Sequence, residues 1–169
     1  MPSAILDAIY CRRSIREYTA EDVPPDQLHE IIRAGCWAPS GLNNQPWRFV
    51  VIRDAAVRRR LADQTHYGHI ILAAPALIAV YLDPAAMYND VKDHQAAGAC
   101  IQNMLLATEA LGLGAVWLGQ ILQNKDQVNT ILDLPPHLDL MAVLAVGHPK
   151  HRNQTSQRKT VEELLLKEL

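Results

Sequence analysis

Ala96-Ala97-Gly98-Ala99-Cys100-Ile101, then Met104-Leu105-Leu106-Ala107, then Gly112-Leu113-Gly114-Ala115-Val116-Trp117-Leu118-Gly119: these residues decide the reading of the fold. The first two runs form the second half of a helix expected from about Asn89 to Leu111. They are apolar nearly all round, and such a helix has to be buried on every side. In a chain of 169 residues the expected partner for that burial is a second copy of the chain. Gly112 and Gly114 stop the helix, and Ala115–Leu118 reads as a strand. The order helix, glycines, strand reverses that of a dinucleotide fingerprint. Gly119, at the strand's end, would let a ligand approach the backbone closely.

Outward from this segment, Ala76–Leu82 is a short apolar run that fits a buried strand. Arg48–Ile52 and Leu140–Val146 supply two more, the last closed by Gly147-His148-Pro149. Ser3 is placed to cap a short helix carrying Ile5, Leu6 and Ile9 inward. Pro24-Pro25 opens a helix with Leu28, Ile31, Ile32 and Gly35 on one face. Asp54 is expected to cap a charged helix over 55–66, and Asn124 a helix ending at Leu134-Pro135-Pro136. An amphipathic segment over 161–169 closes the chain. Together these elements predict a single α+β domain over 1–169, with a central mixed sheet of four or five strands flanked by helices.

Composition narrows the function. Forty-nine percent of the residues are apolar, enough for one core. The formal net charge of −2 gives no general attraction to nucleic acid or an anionic membrane. The three cysteines, Cys11, Cys36 and Cys100, are odd in number and widely spaced, which reads as free thiols in a reducing compartment. The N-terminus lacks the pattern of a signal peptide, and no apolar run approaches the ~20 residues that cross a bilayer. A cytoplasmic location is therefore expected. The pairs His66/His69 and His148/His151 lack supporting ligands, so no metal site is expected. Neither a nucleophile elbow nor a P-loop occurs.

Two segments carry chemistry. Arg12, Arg13 and Arg16 lie within five residues, with Ser14 among them. Guanidiniums this close repel one another unless an anion gathers them, and a phosphate monoester fits their forked donors. A solvated basic turn is the alternative. Arg158 and Lys159 could close on the same anion. The second segment is the loop Pro39-Ser40-Gly41-Leu42-Asn43-Asn44-Gln45-Pro46. Its amides and hydroxyl can pair with a ligand edge that both donates and accepts, or they can simply form a polar turn. Trp37 and Trp47, which flank it, read as core anchors.

In order and separation these pieces resemble the FMN-dependent nitroreductase family. The resemblance rests on Arg12-Arg13-Ser14-Ile15-Arg16-Glu17-Tyr18, on the stretch Trp37 to Phe49, and on Ala74-Pro75. It continues through Gln102–Ala107, Gly112–Gly119, Gly147-His148-Pro149 and Arg158-Lys159. It implies a nitroreductase-like fold in an interlocked homodimer with FMN at the subunit interface. Arg12, Arg13, Ser14 and Arg158 would bind the phosphate and ribityl chain. Arg16 would stabilise negative charge on the reduced ring. Pro39, Ser40, Gly41 and Asn43 would come from the other subunit to cover the flavin edge. Val116, Trp117, Leu118 and Gly119 would line the site, with the backbone of Leu118 and Gly119 near N5. Leu118 stands where many relatives carry an acidic residue. The short stretch between Asp83 and Asn89 leaves little room for a lid, so His66, Tyr67 or Tyr88 would close the pocket if anything does.

The implied activity is ping-pong hydride transfer from NAD(P)H, through FMN, to an electron-poor small-molecule acceptor such as a nitroaromatic or quinone. No side-chain nucleophile or base is required, because the cofactor carries the chemistry. Different flavin chemistry (an ene-type oxidase or a dehalogenase) and a flavin store or sensor without turnover stay open as alternatives.

Overall fold

A computed structural model describes residues 4–169. Ser3 and its expected cap lie outside the described residues. In chain order the elements are α1 (Ala4–Cys11), α2 (Pro25–Cys36), β1 (Trp47–Ile52), α3 (Ala55–Ala62), α4 (Gly68–Ala73), β2 (Ala76–Leu82), α5 (Asp90–Ala110), β3 (Gly114–Leu118), α6 (Lys125–Ile131), β4 (Asp139–Gly147) and α7 (Val161–Leu164).

The four strands lie in the order β1-β2-β4-β3. All three strand pairings are antiparallel, whereas a mixed sheet was expected. The parallel element is the isolated bridge between Ser14 and Ala115. The sheet is covered on both faces, so its central strands show continuous apolar runs instead of alternation. Every residue of β2 is buried. Its side chains nevertheless sort cleanly. Leu77, Ala79 and Tyr81 join a core with Leu61, Ile70, Ile71 and Val128 beneath α3, α4 and α6. Ala76, Ile78 and Val80 join another with Leu28, Ile31, Ile101 and Met104 beneath α2 and α5.

Asn89 caps α5 by accepting the Lys92 N–H at 3.0 Å. Gly112 ends the helix at φ +73°, and the Leu113 N–H reaches back to the Thr108 carbonyl at 3.0 Å, the closure expected of a glycine stop. Ala97, Cys100, Ile101 and Met104 are buried by the chain itself, while Val91, Gln95 and Gln102 stand exposed. Within one chain, then, α5 is covered on one side only. Asp54 caps α3 as expected, accepting from Ala56 and Val57 N–H at 2.8 and 2.9 Å.

Three local expectations change. Ile5, Leu6 and Ile9 of α1 are exposed, because no surface of the same chain covers them. Asn124 stands at the start of α6 but spends its amide on the Gln64 carbonyl at 2.9 Å. The amphipathic tail forms only the turn Val161–Leu164, held by a Thr160–Glu163 capping box. A helix so short gains little without a surface to pack on.

Candidate functional site

The segment linking α1 to α2 is pinned to the edge strand β3. The Ile15 side chain is buried, its N–H donates to the Ala115 carbonyl at 3.0 Å, and the Tyr18 hydroxyl lies 2.7 Å from the Ile15 carbonyl. A Cβ on Gly114 would stand 2.6 Å from Ile15 Cγ1, so glycine is what allows Ile15 this close. With Ile15 turned in, its neighbours turn out. Arg12, Arg13, Ser14 and Arg16 line a recess of about 380 Å³ together with Gln154, Thr155, Ser156 and Arg158.

Four guanidiniums thus share one recess whose lining contains no carboxylate. Their bonds within the chain run to carbonyls: Arg13 to Tyr10 and Arg12, Arg16 to Ser14, Arg158 to Gln157. Arg13 Nε is buried without a partner. By contrast, Arg33, Arg48, Arg53 and Arg152 each pair with a carboxylate, from Glu30, Asp83, Asp22 and Glu109. Gathering cations without counter-charge costs free energy that a bound anion offsets.

Arg16 also lines an adjoining recess of about 160 Å³ with Tyr67, Ile70, Val116, Trp117, Leu118 and Gly119. Val116 and Leu118 are buried in the core, so what they offer the recess is backbone. A Cβ on Gly119 would meet no heavy atom within 4 Å, which leaves its main chain open to a ligand. Gln120 Oε1 accepts from the Thr65 hydroxyl at 2.6 Å and the His66 N–H at 2.9 Å. This fixes the turn that carries Tyr67. The tail residues Gln154–Ser156 and the tie through Gln120 had no sequence signal beyond being polar.

The loop of Pro39, Ser40, Gly41 and Asn43 lies apart. Pro39, Ser40 and Gly41 line a recess of about 290 Å³ with Tyr88, Lys92, Gln95, Ala96 and Ala99, sharing no residue with the arginine recesses. Within one chain the two predicted groups are not brought together. Leu42, Asn43 and Gln45 adopt φ of 54°, 55° and 46°. Left-handed backbone at a non-glycine residue costs ~1–3 kcal/mol, least for Asn. The side chain of Asn43 is exposed, whereas Asn44 turns inward and donates to Asp93 Oδ1 at 2.7 Å and the Ala86 carbonyl at 2.9 Å. Trp47 is buried, as a core anchor should be, but Trp37 is 83% exposed.

Among the described residues no cluster of three His, Cys, Asp or Glu could hold a metal. Burial, with Cys36 nearby, pushes the Cys100 thiol up to about 12, which leaves it inert.

The sequence model of the nitroreductase family matches residues 9–68 and 62–148. The chain belongs to the nitroreductase family. The matched residues take in Arg12–Arg16, the 39–45 loop and the end of β3, and stop short of Arg158. Among solved structures, the chain is similar to a provisionally named nitroreductase from Desulfovibrio desulfuricans, crystallised in complex with FMN. The two are 52% identical with a TM-score of 0.96, covering 100% of this chain and 99% of that one. It is 32% identical to an NADH dehydrogenase of Thermus thermophilus over 92% of this chain and 91% of that protein. It is 26% identical to an FMN reductase [NAD(P)H] of Bacillus subtilis over 91% of this chain and 69% of that protein. This nitroreductase-family chain has no helix, among the described residues, long and apolar enough to cross a membrane.

Proposed function

We propose that the chain, as one nitroreductase-like domain over 1–169, is an FMN-dependent oxidoreductase that passes electrons from NAD(P)H to an electron-poor small molecule such as a nitroaromatic or a quinone. The observation that carries this reading is the arginine recess, with its four guanidiniums, its lack of a lining carboxylate and the buried, unpartnered Nε of Arg13. It has the charge and the forked donors that a phosphate monoester needs. The likeness to the FMN-bound structure adds to it.

When bound, FMN supplies a two-electron carrier that a nicotinamide can reduce and an acceptor can reoxidise. The chain's own residues bind and orient. Arg12, Arg13, Ser14 and Arg158 hold the phosphate end. Arg16, common to both recesses, sets positive charge beside the ring and lowers the cost of negative charge there. Val116, Trp117, Leu118 and Gly119 form the wall on the other side of Arg16, with open backbone at Gly119 and Tyr67 limiting access.

We further read the working form as a homodimer with a site at each end of the interface. Ile5, Leu6, Ile9 and Tyr10 of α1 are exposed in one chain, as are Trp37, Leu42 and Val91, apolar side chains that a second copy would cover. Pro39, Ser40, Gly41 and Asn43, none of which lines the arginine recesses of its own chain, then cover the flavin of the other subunit. The free thiols fit a cytoplasmic setting.

The test is the visible spectrum of the FMN-loaded protein under anaerobic NADH and then NADPH. Flavin bands that bleach and return when a quinone is added are the expected result. Bands that persist with both donors would mean a flavin store or sensor, and failure to retain added FMN would overturn the reading.

A further inference from the structure

Asp93 is an acid without a cation. It stands in the first turn of α5, where the helix dipole favours a carboxylate, yet it is fully buried. No Lys or Arg pairs with it among the described residues. Burying a lone carboxylate is costly unless its oxygens are hydrogen-bonded, and here they are. Oδ1 accepts from Asn44 Nδ2 at 2.7 Å. Oδ2 accepts from the Tyr88 N–H and the Asn89 N–H, each at 2.9 Å. Burial alone would raise this carboxyl, but the bonds from Asn89, Asn44 and Tyr88 outweigh it and hold it below the usual carboxylate range.

Those donors join the loop to the body of the protein from two sides. Asn44 belongs to the loop itself. Tyr88 belongs to the turn before α5, and its ring lies directly over Gly41: a Cβ there would fall 2.0 Å from the Tyr88 hydroxyl oxygen. Asn44 Nδ2 also reaches the Ala86 carbonyl at 2.9 Å; the loop's remaining bonds are short-range, such as the Gln45 N–H to Ser40 Oγ at 3.1 Å and the Asn43 N–H to the Ser40 carbonyl at 3.1 Å. Left to those, a loop with three non-glycine residues at positive φ would relax.

We propose that Asp93 is a positioning residue for flavin binding: its carboxylate holds residues 40–45 in the strained conformation that presents Ser40 and Asn43 to the cofactor of the partner subunit. This rests on the reading that the loop covers that flavin. The carboxylate is needed because it only accepts. Asparagine at 93 would have to turn its NH₂ toward either Asn44 Nδ2 or the two backbone N–H groups, setting donor against donor.

The experiment measures FMN dissociation constants for the wild-type dimer, Asp93→Asn and Asn44→Ala, with inorganic phosphate as a competing ligand and the circular dichroism of the bound flavin as a conformational readout. Loss of a charge-assisted hydrogen bond predicts FMN affinity lower by about tenfold or more in Asp93→Asn. The flavin dichroism should change, while the phosphate constant, which reads the arginine recess alone, stays at the wild-type value. A general loss of structure would weaken phosphate and FMN in parallel, and that result overturns the inference. So does wild-type FMN affinity with an unaltered flavin spectrum in both variants. Should Asp93→Asn fail to fold, Asn44→Ala decides by the same criteria. A wild-type protein that binds no FMN would overturn the functional reading and this inference together; a wild type that binds, with variants that match it, overturns this inference alone.

Discussion

The arginine recess and the 39–45 loop differ in what holds them. The recess hangs on the sheet: Ile15 is buried against Gly114, and its N–H is bonded to β3. Its lining carries four guanidiniums and no carboxylate. The loop hangs on two polar anchors, Asn44 and the Asp93 carboxylate beneath it, and its outer residue Leu42 is 85% exposed at positive φ. One half gathers positive charge that a bound anion would offset. The other lines a separate recess that shares no residue with the first within one chain. In the proposed dimer such a site would divide its work: charge and anchoring from one copy, fine placement from the other.

That division predicts unequal consequences when each half is damaged. Arg12→Ala with Arg158→Ala should cost most, because each charge-assisted bond to a phosphate is worth ~1.5–3 kcal/mol. FMN affinity should fall by several kcal/mol in a fluorescence titration, and wild-type affinity in the double variant would remove the phosphate assignment. Ser40→Ala with Asn43→Ala should cost less, since neutral hydrogen bonds contribute only ~0.5–1.5 kcal/mol each. Here a loss as large as that from the arginines would mean that the loop, and not the recess, anchors the cofactor.

The comparison also marks what could be read from residues alone. The strands and α5 were legible within a residue or two, because β2 is an unbroken apolar run and α5 has Asn89 before it and Gly112 after it. Strand direction was not legible. A sheet buried on both faces loses the alternation that marks antiparallel strands, and helices between strands do not require a parallel crossover. The inward packing expected of Ile5, Leu6 and Ile9 failed for a related reason: an amphipathic pattern says that a face will be covered but not by which chain. The arginine cluster stood out by its spacing, but a solvated basic turn explained it as well, and the family resemblance is what pointed to a phosphate. Asp93 was not legible, since an acid in the first turn of a helix ordinarily serves the dipole from the surface, and only its zero exposure shows another task. Gln154, Thr155 and Ser156 reach the recess from a tail with no periodicity to announce it.

The two damaged halves can be combined to test the central claim, that each site is built from two copies. Chains carrying Arg12→Ala and Arg158→Ala are co-assembled with chains carrying Ser40→Ala and Asn43→Ala, the two marked by different tags, and the mixed dimer is isolated and titrated with FMN. If the halves meet across the interface, one site receives both damaged halves and the other receives both intact ones. The mixed dimer should then bind one FMN with wild-type affinity, although neither parent dimer binds any so tightly. If instead each chain builds its own site, both sites of the mixed dimer are damaged, no wild-type affinity returns, and the shared-site account is contradicted.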